Sequence, residues 1–451
     1  MKIIIVGCGN VGATLAEQLS KEGHNITVID EKEKLISDIT NTYDVMGIVG
    51  NGAVYSVQLE ADIEKADLLI AVTGKDELNL LCCLIAKKAG GCQTVARVSN
   101  PIYYREIAYI KEELGLSLVI NPDFAVATEI ARLLKFPSAL RIDTFAKGRV
   151  ELVKYRIPQS SVLANMALKE VSSRFKSDVL ICIVERGEEL YIPDGNFVLQ
   201  SGDEITIVAA SVKIAAFFTK IGVPTTRAKD TMIIGGGETS FYLGKQLSDM
   251  GVQVKIVDKS KERCEELCEL LPDAMIILGD GTDRDLLLEE GMEKAESFVS
   301  MTNFDEENII LSLFAKSRSR AKIITRVHRI AYDEIIDSMD LGSIVYPKHI
   351  TAESIIKYVR AMDNSMGSNI ETLYRLNDNR VEALEFLIRE DCPLIGKPLQ
   401  ELKLKKNILV CSINHNGSIQ TPSGQSVMSV GDTVVVVTTT TGFHDIRDIL
   451  G

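Results

Sequence analysis

Gly7 and Asp30 recur 228 positions later as Gly235 and Asp258, and Gly50 and Gly52 recur 229 positions later as Gly279 and Gly281. One inserted residue separates the two pairs. At the 229 offset, Thr73, Asp76, Glu77, Asn79, Arg97 and Val98 match Thr302, Asp305, Glu306, Asn308, Arg326 and Val327, and far downstream Gly202-Asp203 matches Gly431-Asp432. A register kept over that distance makes the chain two copies of one unit, so whatever the first copy folds into, the second must fold into as well.

In the first copy, aliphatic runs at Ile3 to Val6, Ile26 to Ile29, Val45 to Val49, Leu68 to Val72 and Val95 to Val98 alternate with helical patterns. Such βαβ alternation predicts a Rossmann-like, doubly wound parallel sheet with right-handed crossovers. From about Arg141 the pattern changes to strands and turns: Val179 to Val184, a turn at Arg186-Gly187, Leu190 to Ile192 and Ile205 to Val208. The second copy carries Asn416-Gly417, a hairpin signal because both central residues of a type I′ turn need positive φ. Gly222 to Thr226 reads as the linker between copies. The expected domains are 1–136, 137–221, a linker at 222–229, then 230–362 and 363–451.

A chain of 451 residues exceeds what one core can organise, which agrees with several domains. A net charge of −13 excludes nucleic acid as a partner, since phosphate backbones are met by clustered Lys and Arg. The same acidity suits docking on a basic surface, such as the cytoplasmic loops of a membrane protein. The run before Gly7 is too short for a signal peptide, and the longest apolar run, Leu78 to Ala86, is too short to span a bilayer. Nine cysteines without zinc spacing read as reduced cytosolic thiols, and no metal site is expected. The five histidines share no spacing between copies and form no triad, so no catalytic residue is assigned.

The chemistry-bearing motif is Gly7-x-Gly9-x-x-Gly12, which follows a strand, spans Asn10 and Val11, and opens a helix over Val11 to Ser20. Its glycines permit a tight turn and close backbone approach, and the helix N-terminus receives phosphate. Asp30, at the end of the second strand, accepts hydrogen bonds from ribose hydroxyls and would repel a 2′-phosphate, which favours NAD(H) or an adenine nucleotide over NADP. The second copy keeps Gly235, Gly237 and Asp258 but places Ser240 where the third glycine would be, and its Glu238 crowds a phosphate. Asn51 and Gly52, and Asp280 and Gly281, end the third strands; Thr73 and Thr302 end the fourth. These are candidates for base or ribose contact, with turn formation and helix capping as the structural alternative. Arg97 and Arg326 close the fifth strands, where a guanidinium could meet phosphate or form a structural ion pair.

The duplicated glycine loop, the Gly279 to Thr282 turn, the stretch from Ala66 to Asn79, and the Pro193-Asp194-Gly195 and Gly202-Asp203 pattern of the β-rich part together resemble the TrkA family of potassium uptake regulators, built from two RCK units. The resemblance covers the whole chain and implies an α+β RCK carboxy-terminal domain after each Rossmann-like domain. It also implies a non-enzymatic cytoplasmic regulator, self-associated into a ring, with a homotetramer as the expected stoichiometry. Such a ring sits on a TrkH-like potassium-translocating membrane subunit and responds to NAD(H), or to ATP and ADP. The nucleotide contacts carry over to Gly7, Gly9, Gly12, Asp30, Asn51, Thr73 and Arg97, and to Gly235, Gly237, Asp258, Asp280, Thr302 and Arg326. Asn51, where the family has Asp, and Ser240 depart from the pattern, so the two sites are expected to differ in ligand. Pro137-Ser138 and the Pro224 linker are the expected movers. The rival readings are an NAD-dependent dehydrogenase, which needs an acid–base partner the β-rich parts do not share, and a nucleotide sensor for another transporter.

Overall fold

The computed structural model describes residues 1–451 apart from 137–138, 146–148, 224–227, 329–335, 337–338, 340, 366–369, 377–379, 390–391, 441–442 and 444. The expected movers Pro137, Ser138 and Pro224, and His444, lie outside the described residues.

Six strands form the first parallel sheet: β1 (Lys2–Val6), β2 (Asn25–Asp30), β3 (Met46–Val49), β4 (Leu68–Ala71), β5 (Gln93–Arg97) and β6 (Leu118–Ile120). Their order is β3-β2-β1-β4-β5-β6. Ile3, Ile4 and Ile5 are successive and all buried, as expected of a strand covered by helices on both faces. The order reverses between β1 and β4, which opens a crevice at their carboxyl ends. The three-residue β6 is too short to have been read from the sequence.

The β-rich part of the first copy is an antiparallel sheet of β7 (Arg141–Phe145), β8 (Val150–Arg156), β9 (Leu180–Arg186), β10 (Glu189–Tyr191) and β11 (Glu204–Ala210) in the order β10-β9-β11-β8-β7. The second copy repeats the parallel sheet as β12 (Asp230–Ile234), β13 (Gln253–Asp258), β14 (Met275–Leu278), β15 (Ser297–Ser300), β16 (Lys322–Arg326) and β17 (Ser343–Val345), in the equivalent order. It repeats the antiparallel one as β18 (Ile370–Leu376), β19 (Val381–Leu387), β20 (Ile408–His415), β21 (Ser418–Gln420) and β22 (Thr433–Thr438). Asn416 and Gly417 both have positive φ, 50° and 90°, and join β20 to β21 as the hairpin signal predicted.

Like halves associate. One compact unit holds Met1–Ala131 with Lys229–Tyr358, and the other holds Arg132–Ala228 with Val359–Gly451. In the second unit a single core draws Phe145, Leu152 and Cys182 from the first copy and Val381, Cys411 and Val435 from the second. In the first unit, Asn121 Nδ2 donates to Tyr242 Oη at 3.0 Å, Gln246 Nε2 donates to Thr128 Oγ1 at 3.2 Å, and the Phe124 and Tyr242 rings meet edge to face. Aromatic and amide side chains thus tie one Rossmann-like domain to the other.

Candidate functional site

Each glycine loop is set by backbone geometry. Gly7 has φ +101° and Gly235 φ +99°, and a Cβ on either would press on the backbone that ends the fourth strand of its sheet, Thr73 N at 2.9 Å or Met301 O at 2.8 Å. Only glycine fits there. Gly9 and Gly237 begin the helices Asn10–Lys21 and Glu238–Asp249, with no side chain capping either start. A Cβ on them would meet nothing within 4 Å, so both face open space. The first-turn amides are therefore available to an anion.

The third glycine position separates the copies. A Cβ on Gly12 would lie 1.8 Å from the Gly7 carbonyl oxygen, so helix and loop are in direct backbone contact. In the second copy the Ser240 hydroxyl donates to the Gly235 carbonyl, replacing that contact with a side-chain hydrogen bond.

Asp30 Oδ2 accepts from Cys8 N at 2.8 Å and Oδ1 from Lys32 N at 2.9 Å; Asp258 does the same with Gly236 N at 2.6 Å and Ser260 N at 2.8 Å. These carboxylates hold the glycine loops in place. A carboxylate offers about four acceptor positions, so two remain for hydroxyl donors.

Asn51 Oδ1 accepts from Ala53 N at 2.9 Å, whereas Asp280 Oδ1 accepts from both the amide and the hydroxyl of Thr282, at 2.9 and 2.8 Å. The Thr282 hydrogen bonds hold the Asp280 carboxyl below its ordinary range. A Cβ on Gly52 or Gly281 would come within 2.3 Å of Val6 or Ile234, so these two glycines allow close packing on β1 and β12. Thr73 N and Thr302 N donate to Asn79 Oδ1 and Asn308 Oδ1. Each asparagine, fully buried, also donates to the carbonyl of Arg97 or Arg326 and so locks the ends of two adjacent strands together. The sequence repeat marked both asparagines, but only the structure shows them as clamps.

Arg97 Nη1 donates to the Thr73 carbonyl at 2.9 Å, and Arg326 Nη2 to the Thr302 carbonyl at 2.9 Å. Among the described residues, neither arginine pairs with a carboxylate within 4 Å, so the ion-pair alternative is not what holds them. Arg326 is 8% exposed, its Nε has no acceptor among the described residues, and burial depresses its basicity.

In the second copy a cavity of about 480 Å³ is lined by Gly235 to Glu238, Asp258, Asp280 to Thr282, Thr302, Phe304 and Glu307, whereas Arg326 and Asn308 lie off its lining. Phe304 is 56% exposed there. Arg263, also on the lining, donates from Nε to the Gly236 carbonyl at 2.5 Å and pairs with Glu238 at 3.2 Å and Glu266 at 2.6 Å. Desolvation raises the pKa of Glu238 against the pull of Arg263, and Glu266 and Asp123 add to the rise. Arg263, Phe304 and Asp123 were missed in the sequence because none has a like residue in the other copy.

A parallel sheet with a glycine loop at its switch point, duplicated and followed each time by an antiparallel sheet, defines a tandem Rossmann-like architecture. Its parts match known families: the TrkA-N domain over residues 3–122 and 231–347, and the TrkA-C domain over 152–222 and 383–451. The chain belongs to the TrkA family. It is 31% identical to Trk system potassium uptake protein TrkA homolog 1 of Methanosarcina mazei, over 97% of each chain. The GsuK channel bound to NAD shares its fold, with a TM-score of 0.62 at 16% identity over 97% of this chain and 76% of that one. The human SLO3 gating ring does so with a TM-score of 0.51 at 12% identity, over 97% and 99%. Among the described residues, no helix is long and apolar enough to cross a membrane.

Proposed function

We propose that this protein is a peripheral regulator that sits on the cytoplasmic face of the cell membrane through a partner and gates that partner, a TrkH-like potassium-translocating subunit, according to bound nucleotide. The observation that carries the reading is the second-copy cavity, where an uncapped helix start, a carboxylate at the end of β13 and an exposed aromatic ring line one space. Those features suit a phosphate, a ribose diol and a stacked base. The relatives' role in potassium uptake, and the NAD carried by a channel of like fold, support the same reading.

In this proposal Gly7, Gly9, Asn10, Val11 and Gly12 receive phosphate and Asp30 the ribose, with Asn51, Gly52, Thr73 and Arg97 at the rim. Gly235, Gly237, Asp258, Asp280, Gly281, Thr302 and Arg326 act likewise in the second copy. NAD(H) is the favoured ligand, with ATP and ADP as alternatives. Likeness to a gating ring supports self-association into a ring, for which a homotetramer is our proposal. A nucleotide gates by binding two arrangements of the ring unequally, typically with about 1–3 kcal/mol of coupling.

The test is potassium flux through the reconstituted partner with and without this chain, titrated with NADH, NAD, ATP and ADP. Flux that responds to the chain but to no nucleotide rejects the sensing role. NADPH should bind at least about tenfold more weakly than NADH, because Asp30 and Asp258 repel a 2′-phosphate; equal affinities in calorimetry would reject the ribose assignment. NADH absorbance should stay constant with hydroxy-acid and keto-acid pairs, whereas sustained turnover would restore the dehydrogenase reading.

A further inference from the structure

We propose that Asp123, a residue of the first copy, sets the charge selectivity of the second copy's cleft and weakens adenine ligands there in proportion to their phosphate charge. The inference rests on reading that cleft as a nucleotide site.

Asp123 is the second residue of the helix Pro122–Lys135, and its Oδ1 accepts from the Thr239 hydroxyl at 2.6 Å. Thr239 is the second residue of the helix Glu238–Asp249, whose first-turn amides are where a phosphate would sit. A carboxylate from one copy thus contacts the first turn of the other copy's loop helix from outside the cavity lining, at the buried Thr239, and its charge reaches Glu238. Arg326, itself buried, reaches Thr239 Oγ1 with Nη1 at 3.4 Å and gives its Nη2 to the Thr302 carbonyl and to Asn303. It makes no direct pair with Asp123, so the carboxylate is only partly compensated.

The reverse relation carries different residues. The helix Pro347–Ser365 begins in the second copy as Pro122–Lys135 does in the first, and His349 near its start lies within electrostatic reach of Glu17 on the helix after the first glycine loop, whose carboxyl is held down against desolvation mainly by Lys21 and Tyr43. In that arrangement Lys348 follows Pro347 as Asp123 follows Pro122, while Val11 and Asn10 stand where the second copy has Thr239 and Glu238. The first cleft therefore lacks both carboxylates at the equivalent places.

The experiment uses the full chain carrying Gly9→Val, so that calorimetry reads the second cleft, with adenosine, AMP and ADP as probes. Asp123→Asn keeps an acceptor for Thr239 and removes only the charge. We expect ADP affinity to rise about tenfold, AMP affinity to rise by less, and adenosine affinity to stay within about twofold. A change equal for all three probes, or no change for any, overturns the proposal while leaving the cleft a nucleotide site. If neither protein binds any of the three, the nucleotide reading of the second cleft fails and this inference fails with it.

Discussion

The two glycine clefts descend from one plan and differ mainly in charge. By repeat register, the first has Asn10, Lys75 and Leu78 where the second has Glu238, Phe304 and Glu307. The backbone devices are shared: the positive-φ glycine, the uncapped helix start, the carboxylate on the loop amides and the buried asparagine clamp. Duplication kept what builds the cleft, and the side chains that would tell ligands apart diverged.

The sharpest way to break this comparison is to close each cleft in turn. Gly9→Val places a branched side chain in the open phosphate position and should weaken nucleotide binding at the first site at least about 100-fold, about 2.7 kcal/mol, with assembly unchanged by light scattering. Gly237→Val should remove only a weaker phase. If Gly9→Val leaves both nucleotide binding and nucleotide-dependent potassium flux unchanged, the first loop is only a turn.

A smaller effect separates the third loop positions. Gly12→Ala forces a methyl group into the Gly7 carbonyl and should cost about 2 kcal/mol in denaturant unfolding. Ser240→Ala loses one hydrogen bond and should cost about 1 kcal/mol. Equal costs would mean that the two loops are seated in the same way.

The smallest expected effect is at the far ends of the sheets. Lys322 on β16 occupies the place of Gln93 on β5, and desolvation pushes its ammonium down to about 7. Between that value and the ordinary lysine range the unfolded chain binds more protons than the folded one, so this group's contribution to stability improves as pH rises from about 7 toward 10.5. Lys322→Gln should flatten that part of the stability profile and stabilise the protein near pH 7. An unchanged slope would show that the ammonium stays solvated.

The parallel sheets and glycine loops were legible because they rest on local rules: aliphatic runs, a loop after β1 and an acid after β2. The repeat doubled each signal. The association of like halves was not legible, because the contacts that make it, such as Asn121 with Tyr242 and Asp123 with Thr239, join positions that differ between the copies. Arg97 and Arg326 were placed correctly at strand ends, but their sequence neighbours do not reveal that their donors serve the Thr73 and Thr302 carbonyls. The strands β7 and β8 were hidden by an alternation broken at Glu151, a glutamate buried within β8.

The shared core of the antiparallel sheets puts Cys182 and Cys411, 229 residues apart and equivalent in the repeat, into one buried cluster. Contacts between equivalent positions are those of a symmetric homodimer, here written into one polypeptide. Covalent continuity then replaces a second-order encounter with a first-order one, so pairing of the halves does not weaken on dilution. The cost falls on synthesis. At about 5–20 residues per second the first half's apolar face waits on the order of 10–50 s for its complement to leave the ribosome, the interval in which such a chain is most exposed to mispairing with its neighbours.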